Sequence, residues 1–229
     1  MAQPEHDAKV ARVAEKVRAH AQAGERVRLT KRGVSHMVPL PGDKRLVGNP
    51  IDLSPLSEIL EIDPERLVAV VEPGVTFGRM VRESLKFNLI PAVVPELVDI
   101  TLGGAVAGCS VEAMSHKVGG FHDTALEYEV VTGEGEVLTC SREKDPLLFE
   151  MVHGSLGTLG ILTRITFRLV PAKQFVRLTY VRRDTIDAYH EELLARSTAG
   201  DHDFVDGIVH APDHLVVCLG DFVDSAPYV

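Results

Sequence analysis

The sequence predicts an α+β protein made of one large unit and the start of a second, with a boundary near residue 173. Three features carry this expectation. Short β-rich runs are interleaved with amphipathic helical segments along the first 170 residues. A clear hairpin lies at "EYEVVTGEGEVLTC". "GILTRITFRLVPAK" alternates polar and apolar residues and closes on Pro171, like a strand leaving one unit for another.

In chain order, Val10, Val13 and Val17 at helical spacing make residues 6–23 an amphipathic opening helix whose charges, Asp7 and Glu15 among them, form a solvated face. "RVRLT" is a short strand, and the Gly- and Pro-rich "GVSHMVPLPGDKRLVGNP" is loop. "IDLSPLSEILEID" is strand-like, and "PERLVAVVEPG" is a turn followed by a buried strand. "TFGRMVRESLKF" is a helix with Thr76 as its N-cap. After the hairpin, "KDPLLFEMVHG" is helical, and His153 at its end is expected to sit there as a cation favoured by the helix dipole. Beyond residue 173 come a strand ("FVRLTYVRR"), a helix ("TIDAYHEELLARS") and a strand pair. That tail is close to the size, about 60 residues, at which an independent core becomes marginal, so it is expected to be loosely held.

Composition narrows the function. A net charge of −9 disfavours a nucleic-acid partner, which requires clustered Lys and Arg. Three cysteines, without zinc-ligand spacing, and a charged N-terminus without a secretion signal point to a reduced, cytoplasmic setting. No run reaches the roughly 18 apolar residues of a transmembrane segment. Ten scattered histidines form no HExxH-type metal pattern.

The unusual stretch is "DITLGGAVAGCSVEAMSHKVGG". Thr101 can cap a short helix whose first turn carries Gly103 and Gly104, leaving N–H groups uncovered by any Cβ and open to a pyrophosphate. Tight packing of the glycines on a neighbouring element is the competing explanation. Two further glycine segments, "KRGVSHMVP" and "GSLGTLGI", follow a strand and precede a strand. Neither a Rossmann GxGxxG nor a P-loop is present.

Three such segments among short strands resemble the FAD-binding domain of the vanillyl-alcohol oxidase and p-cresol methylhydroxylase (PCMH) family over roughly residues 25–172. "VEPGVTFGRMV", "PELVDITLGGAVAG", "VEAMSHKVGGFHDT" and "LVPAKQFVRLTY" are most similar to the Δ24-sterol reductase and Diminuto branch. "LEYEVVTGEGEVLTCS" and "GTLGILTRITF" resemble cytokinin dehydrogenases. The resemblance implies a PCMH-type FAD-binding domain of two α/β subdomains over 1–172 and the start of an α+β cap over 173–229.

It also implies the cofactor contacts. Arg32, Gly33, Val34, Ser35 and His36 form the first loop; Glu96, Thr101, Leu102, Gly103 and Gly104 hold the diphosphate region. Gly108 and Ser110 line the wall beside the flavin, Gly119, also among the contacts, lets the chain turn back before the next strand, and Gly157, Gly160 and Ile161 run along the adenosine and flavin. Glu112 and His116 fall on the family's Glu-x-x-Ser-His pattern and are catalytic candidates, a hydrogen-bonded pair holding the loop being the alternative. Cys109 is expected to pack rather than react. "RGVSH" places His36 where relatives attach flavin through an 8α-histidyl bond, but Ser35 replaces a glycine and the sterol-reductase branch lacks the histidine; non-covalent FAD is the expectation.

By this resemblance the chain is an FAD-linked oxidoreductase moving hydride to or from a small, apolar substrate, with a nicotinamide or other electron donor. C=C reduction is one form, and alcohol or amine oxidation the other. The sequence shows no N-terminal membrane anchor and only the beginning of a cap, so a fragment or shortened relative, acting as a flavin-binding module without turnover, is the alternative.

Overall fold

The computed structural model describes residues 2–32 and 42–227. Helix α1 (Ala2–Gln22) places Val10, Val13, Ala14 and Val17 on one stripe. This stripe packs on Ile51, Leu56, Val131 and Ile161. Ile51 belongs to a two-stranded parallel sheet of β1 (Val27–Thr30) and β2 (Asn49–Asp52). No helix among the described residues is long and apolar enough to cross a membrane.

The main sheet runs β3 (Ile59–Asp63), β4 (Val68–Val71), β8 (Ile161–Pro171), β6 (Ala125–Val131), β7 (Val137–Ser141), and every pairing is antiparallel. The short β5 (Leu89–Pro91) pairs with the end of β8. Helices α2 (Phe77–Ser84), α3 (Leu102–Gly108) and α5 (Pro146–Val152) all send buried side chains into one core with this sheet. Phe121 stands edge-on to both Phe77 and Phe167, with ring centroids 5.1 Å apart in each pair. Such pairs add about 0.5–1.5 kcal/mol beyond the area they bury.

One part of α1 departs from the expected solvated face. His6 is fully buried, with Nδ1 2.9 Å from Glu72 Oε1 and Nε2 3.0 Å from Glu129 Oε1. Lys9 donates to both Glu72 oxygens at 3.2 and 3.1 Å. The Glu58 amide donates to Glu72, and the Thr163 hydroxyl to Glu129, each at 2.8 Å. Burial alone would lower the His6 pKa, but the hydrogen bonds to Glu129 and Glu72 outweigh it and raise it to about 9. A helical stripe reports apolar residues only, so this polar set was not legible in the spacing.

Beyond Pro171 the chain enters a separate antiparallel sheet, β10 (Phe204–Ala211), β11 (His214–Val223), β9 (Phe175–Arg183). Helix α6 (Ile186–Ala199), capped by Thr185, covers one face, where Val205, Val217 and Leu219 pack with Val181, Tyr189 and Leu193. Strand pleating turns Val176, Leu178, Tyr180 and Ile208 to the other face, where all four are exposed.

Candidate cofactor-binding site

The glycine-rich stretch is organised by two helix starts lying side by side. Thr76 caps α2, accepting from the Arg79 amide at 3.3 Å, and Thr101 caps α3, accepting from the Gly104 amide at 3.2 Å. An isolated antiparallel bridge joins the two threonines. It is reinforced by Leu102 N donating to Val75 O and Phe77 N to Ile100 O, both at 2.9 Å.

This geometry corrects the expected bare first turn. The Leu102 amide is used by Val75, the Gly103 amide donates to Pro73 O at 2.9 Å, Gly104 is used by Thr101 Oγ1, and Ala105 bonds back to Thr101 O. No donor of that turn is open. Gly103 is a packing glycine, because a Cβ there would lie 2.5 Å from Pro73 Cβ. Leu102 is buried in the main core, and Ile161 in the cluster under α1, so their side chains face away from any ligand.

Gly104 is different. A Cβ added to it would meet only Thr101 Oγ1 at 3.0 Å and the ammonium of Lys31 at 3.3 Å. Lys31 Nζ donates to Thr101 Oγ1 at 3.1 Å. The residue as a whole is exposed, yet burial around its ammonium lowers its pKa. No carboxylate pairs with Lys31 among the described residues. Lys31 was not among the residues picked from the sequence; the signal was a cation placed at the exit of β1.

Arg32 follows it, exposed, and with Lys31, Ser54, Ser57, Thr76 and Arg79 it borders a cavity of about 230 Å³. Gly33, Val34, Ser35 and His36 lie outside the described residues. The late glycine segment docks on the far end of α3, with Gly154 N donating to Val106 O at 3.3 Å and Leu156 N to Ala107 O at 3.0 Å. Gly157 sits at φ +77°, a conformation that favours glycine, and a Cβ there would stand 2.9 Å from Leu29 Cδ1. Gly160 leads into β8, and Gly108 has open space over its Cα. Ser110 is held by its amide donating to Ala105 O, while its carbonyl accepts from Phe121 N. Gly119 turns the chain at φ +78°, and Glu96 is exposed.

Of the catalytic candidates, Glu112 and His116 do not pair with each other. The Glu112 amide donates to Ser115 Oγ at 2.8 Å, a local turn. Burial raises the Glu112 carboxyl pKa, and the charges of Glu96 and Asp206 add to it. His116 has both ring nitrogens on carbonyls, Ala113 O at 3.0 Å and His202 O at 3.2 Å. Neither nitrogen is free for proton transfer in this arrangement.

Cys109 closes α3 in the left-handed region, and burial, with Asp123 nearby, pushes its thiol pKa up, in keeping with packing. His153 does stand at the C-cap of α5, but not as the dipole-favoured cation expected. Its Nε2 lies 3.1 Å from the hydroxyl of fully buried Tyr128, and burial, then His122, lowers its pKa. Among the described residues no group of His, Cys, Asp or Glu side chains could hold a metal ion.

A cation without a carboxylate partner among the described residues, beside a glycine whose missing Cβ leaves room for close approach, suits a diphosphate. The profile of a family described as FAD binding domain matches residues 1–141, and the chain belongs to that family. Among its relatives, the Delta(24)-sterol reductase of Pisum sativum is 34% identical over 186 residues, covering 76% of this chain and 33% of that protein. The Delta(24)-sterol reductase of Homo sapiens is 33% identical, covering 75% and 33% respectively. Cytokinin dehydrogenase 2 of Oryza sativa subsp. japonica is 33% identical, covering 60% and 26%. The chain spans about a third of the length of the sterol reductases it matches.

Proposed function

We propose that the chain is the flavin-holding part of an FAD-dependent oxidoreductase acting on an apolar substrate, by C=C reduction of the kind the sterol-reductase relatives are named for. The observation that carries the cofactor half is the Lys31 ammonium beside Gly104, with no carboxylate among the described residues to neutralise it. When bound, FAD supplies the hydride-accepting and hydride-donating centre. Lys31 and Arg32 would counter the diphosphate charge, Gly104 would admit it at close range, and Thr101 would hold Lys31 in place. Gly157 keeps the late segment against β1, and Gly108 leaves the surface at the end of α3 clear. The FAD is held non-covalently in this reading.

Refolding with FAD tests it. The wild type should retain FAD, acid precipitation should release all the yellow colour, and Gly104→Val should lose flavin while keeping its circular dichroism. A colourless wild type overturns the reading, and a yellow acid pellet overturns the non-covalent part. Flavin bleaching by reduced nicotinamide, with reoxidation by a Δ24 sterol, tests the substrate half. A second reading, a flavin-binding module without turnover, is favoured by the uncovered apolar face of β9 and β10; it predicts flavin retention with no bleaching by any donor.

A further inference from the structure

We infer that the buried carboxylate of Glu72 is the positioning residue of the cofactor cavity, tying α1 to both of its walls and through them setting where the Lys31 ammonium stands. This rests on the cofactor reading above and adds to it a residue that touches no ligand. Glu72 directly follows β4 and is fully buried. Its Oε1 lies 2.9 Å from His6 Nδ1 and 3.2 Å from Lys9 Nζ, both on α1. Its Oε2 accepts from Lys9 Nζ at 3.1 Å and from the Glu58 amide at 2.8 Å. Burial works to raise its pKa, but the hydrogen bonds from His6, Glu58 and Lys9 hold it below the usual carboxylate range. A buried anion is tolerated only where such donors surround it, so Glu72 fixes α1 and Glu58 relative to its own backbone.

That backbone builds the cavity. Residues 53–58 form one wall, and Leu56 O accepts from the Gly74 amide at 2.8 Å while Ser57 O accepts from Arg79 Nη1 at 2.6 Å. The approach is close, since a Cβ on Gly74 would stand 2.4 Å from Leu56 O. Residues 73–76 form the other wall, and the first turn of α3 hangs on it. Pro73 O accepts from the Gly103 amide and Val75 O from the Leu102 amide, each at 2.9 Å. Thr76 is bridged to Thr101, whose Oγ1 accepts from Lys31 Nζ at 3.1 Å. Ser54 and Ser57 on one side and Gly74 and Thr76 on the other border the cavity of about 230 Å³. The path from Glu72 to Lys31 therefore runs through hydrogen bonds of fixed length. Val75 and Leu102 also pack in the main core, but apolar contact is non-directional and does not set the spacing of the walls. Removing the anion leaves the junction of α1 with both walls without its directional contacts, and Lys31 and Gly104 move out of register with the space between them.

FAD titration and amide hydrogen exchange on the full chain test this, at one pH and under conditions where every variant is folded. In Glu72→Gln the Kd for FAD should rise about tenfold or more, the scale of one hydrogen bond to a charged group. Protection of the Leu102 and Gly103 amides should fall by a similar factor beyond any change at β8. The Gly119 amide, which closes α4 (Ser115–Val118) by donating to Ser115 O, should follow β8 instead. Lys9→Met leaves His6 and Glu58 on the carboxylate and should show the same pattern more weakly, so it decides if Glu72→Gln does not fold. Phe149→Leu, in the same core but stacked on Tyr128, separates positioning from stability. It should lower the urea midpoint and keep wild-type FAD affinity. Wild-type affinity in both Glu72→Gln and Lys9→Met, or an equal loss in Phe149→Leu, overturns the inference. A wild type that takes up no FAD overturns the cofactor reading instead, and the Leu102 and Gly103 amides then decide the positioning: a fall beyond β8 upholds it, and no such fall overturns it.

Discussion

The two antiparallel sheets of this protein make opposite use of similar material. The six-stranded sheet buries a continuous core, from Phe77 and Phe121 through Tyr128 to Phe167, and carries α1 on a buried set of ion pairs. The three-stranded sheet buries a small patch under α6 and leaves Val176, Leu178 and Tyr180 facing solvent. Both are built of antiparallel ladders with register shifts in them, so strand pairing does not distinguish them. The difference is how many sides each sheet has covered. Stability should therefore be concentrated in the glycine-rich unit, with the small sheet opening first.

The most damaging way to test that contrast is Phe121→Ala, which empties the centre of the aromatic cluster and should cost about 3–5 kcal/mol. Its signature is loss of the main thermal transition in calorimetry; a transition unchanged within error would mean that the core is not where stability resides. Next comes Glu72→Gln, which leaves His6 and Lys9 short of their counter-charge and should cost about 3 kcal/mol.

The same ion pairs set a pH dependence. His6 is raised from 6.5 to about 9, so its contribution is complete below 6.5 and lost as pH rises through about 9. For Glu72 and Glu129 burial works upward, but the His6 hydrogen bonds and other partners hold both below the usual 4.5. Their contribution is present above that value and lost as pH falls below it. Urea midpoints measured from pH 4 to 10 should thus fall at both ends, and Glu72→Gln should flatten the alkaline fall. An unchanged alkaline limb in that variant would remove His6 from the account.

Smaller effects belong to the small sheet. Leu219→Ala should cost about 2 kcal/mol, at the low end for its class because the thin layer can collapse around the gap. Limited proteolysis should then cut faster within residues 175–223 while the main thermal transition stays put. First cleavage within residues 60–110 would reverse the assignment of weak and strong units. Leu178→Thr, on the open face, should change stability by less than about 0.5 kcal/mol. A larger loss would show that this face is covered in solution.

Much of the architecture was readable beforehand, because local rules determine it. Val10, Val13 and Val17 at helical spacing announced α1, the "GEG" turn announced the β6–β7 hairpin, and Thr76 and Thr101 are the caps their side chains suit. The glycine stretch was rightly singled out, but its two adjacent glycines do different things: Gly103 packs on Pro73, and Gly104 faces Lys31. Pro73 is 30 residues from Gly103 and Lys31 is 73 residues from Gly104, with no motif or period linking either pair, so nothing local could separate the two roles.

The sequence alone determined the elements, the family resemblance and the place where a diphosphate would be sought, since each follows from short-range spacing or from chained motifs. The tertiary structure decided which polar groups are spent and which remain open. It saturated the first turn of α3, buried His6 between two glutamates, and set both nitrogens of His116 on carbonyls from two units. A side chain's protonation and reach depend on what lies within about 4 Å of it, and those neighbours are contributed by segments remote in the chain.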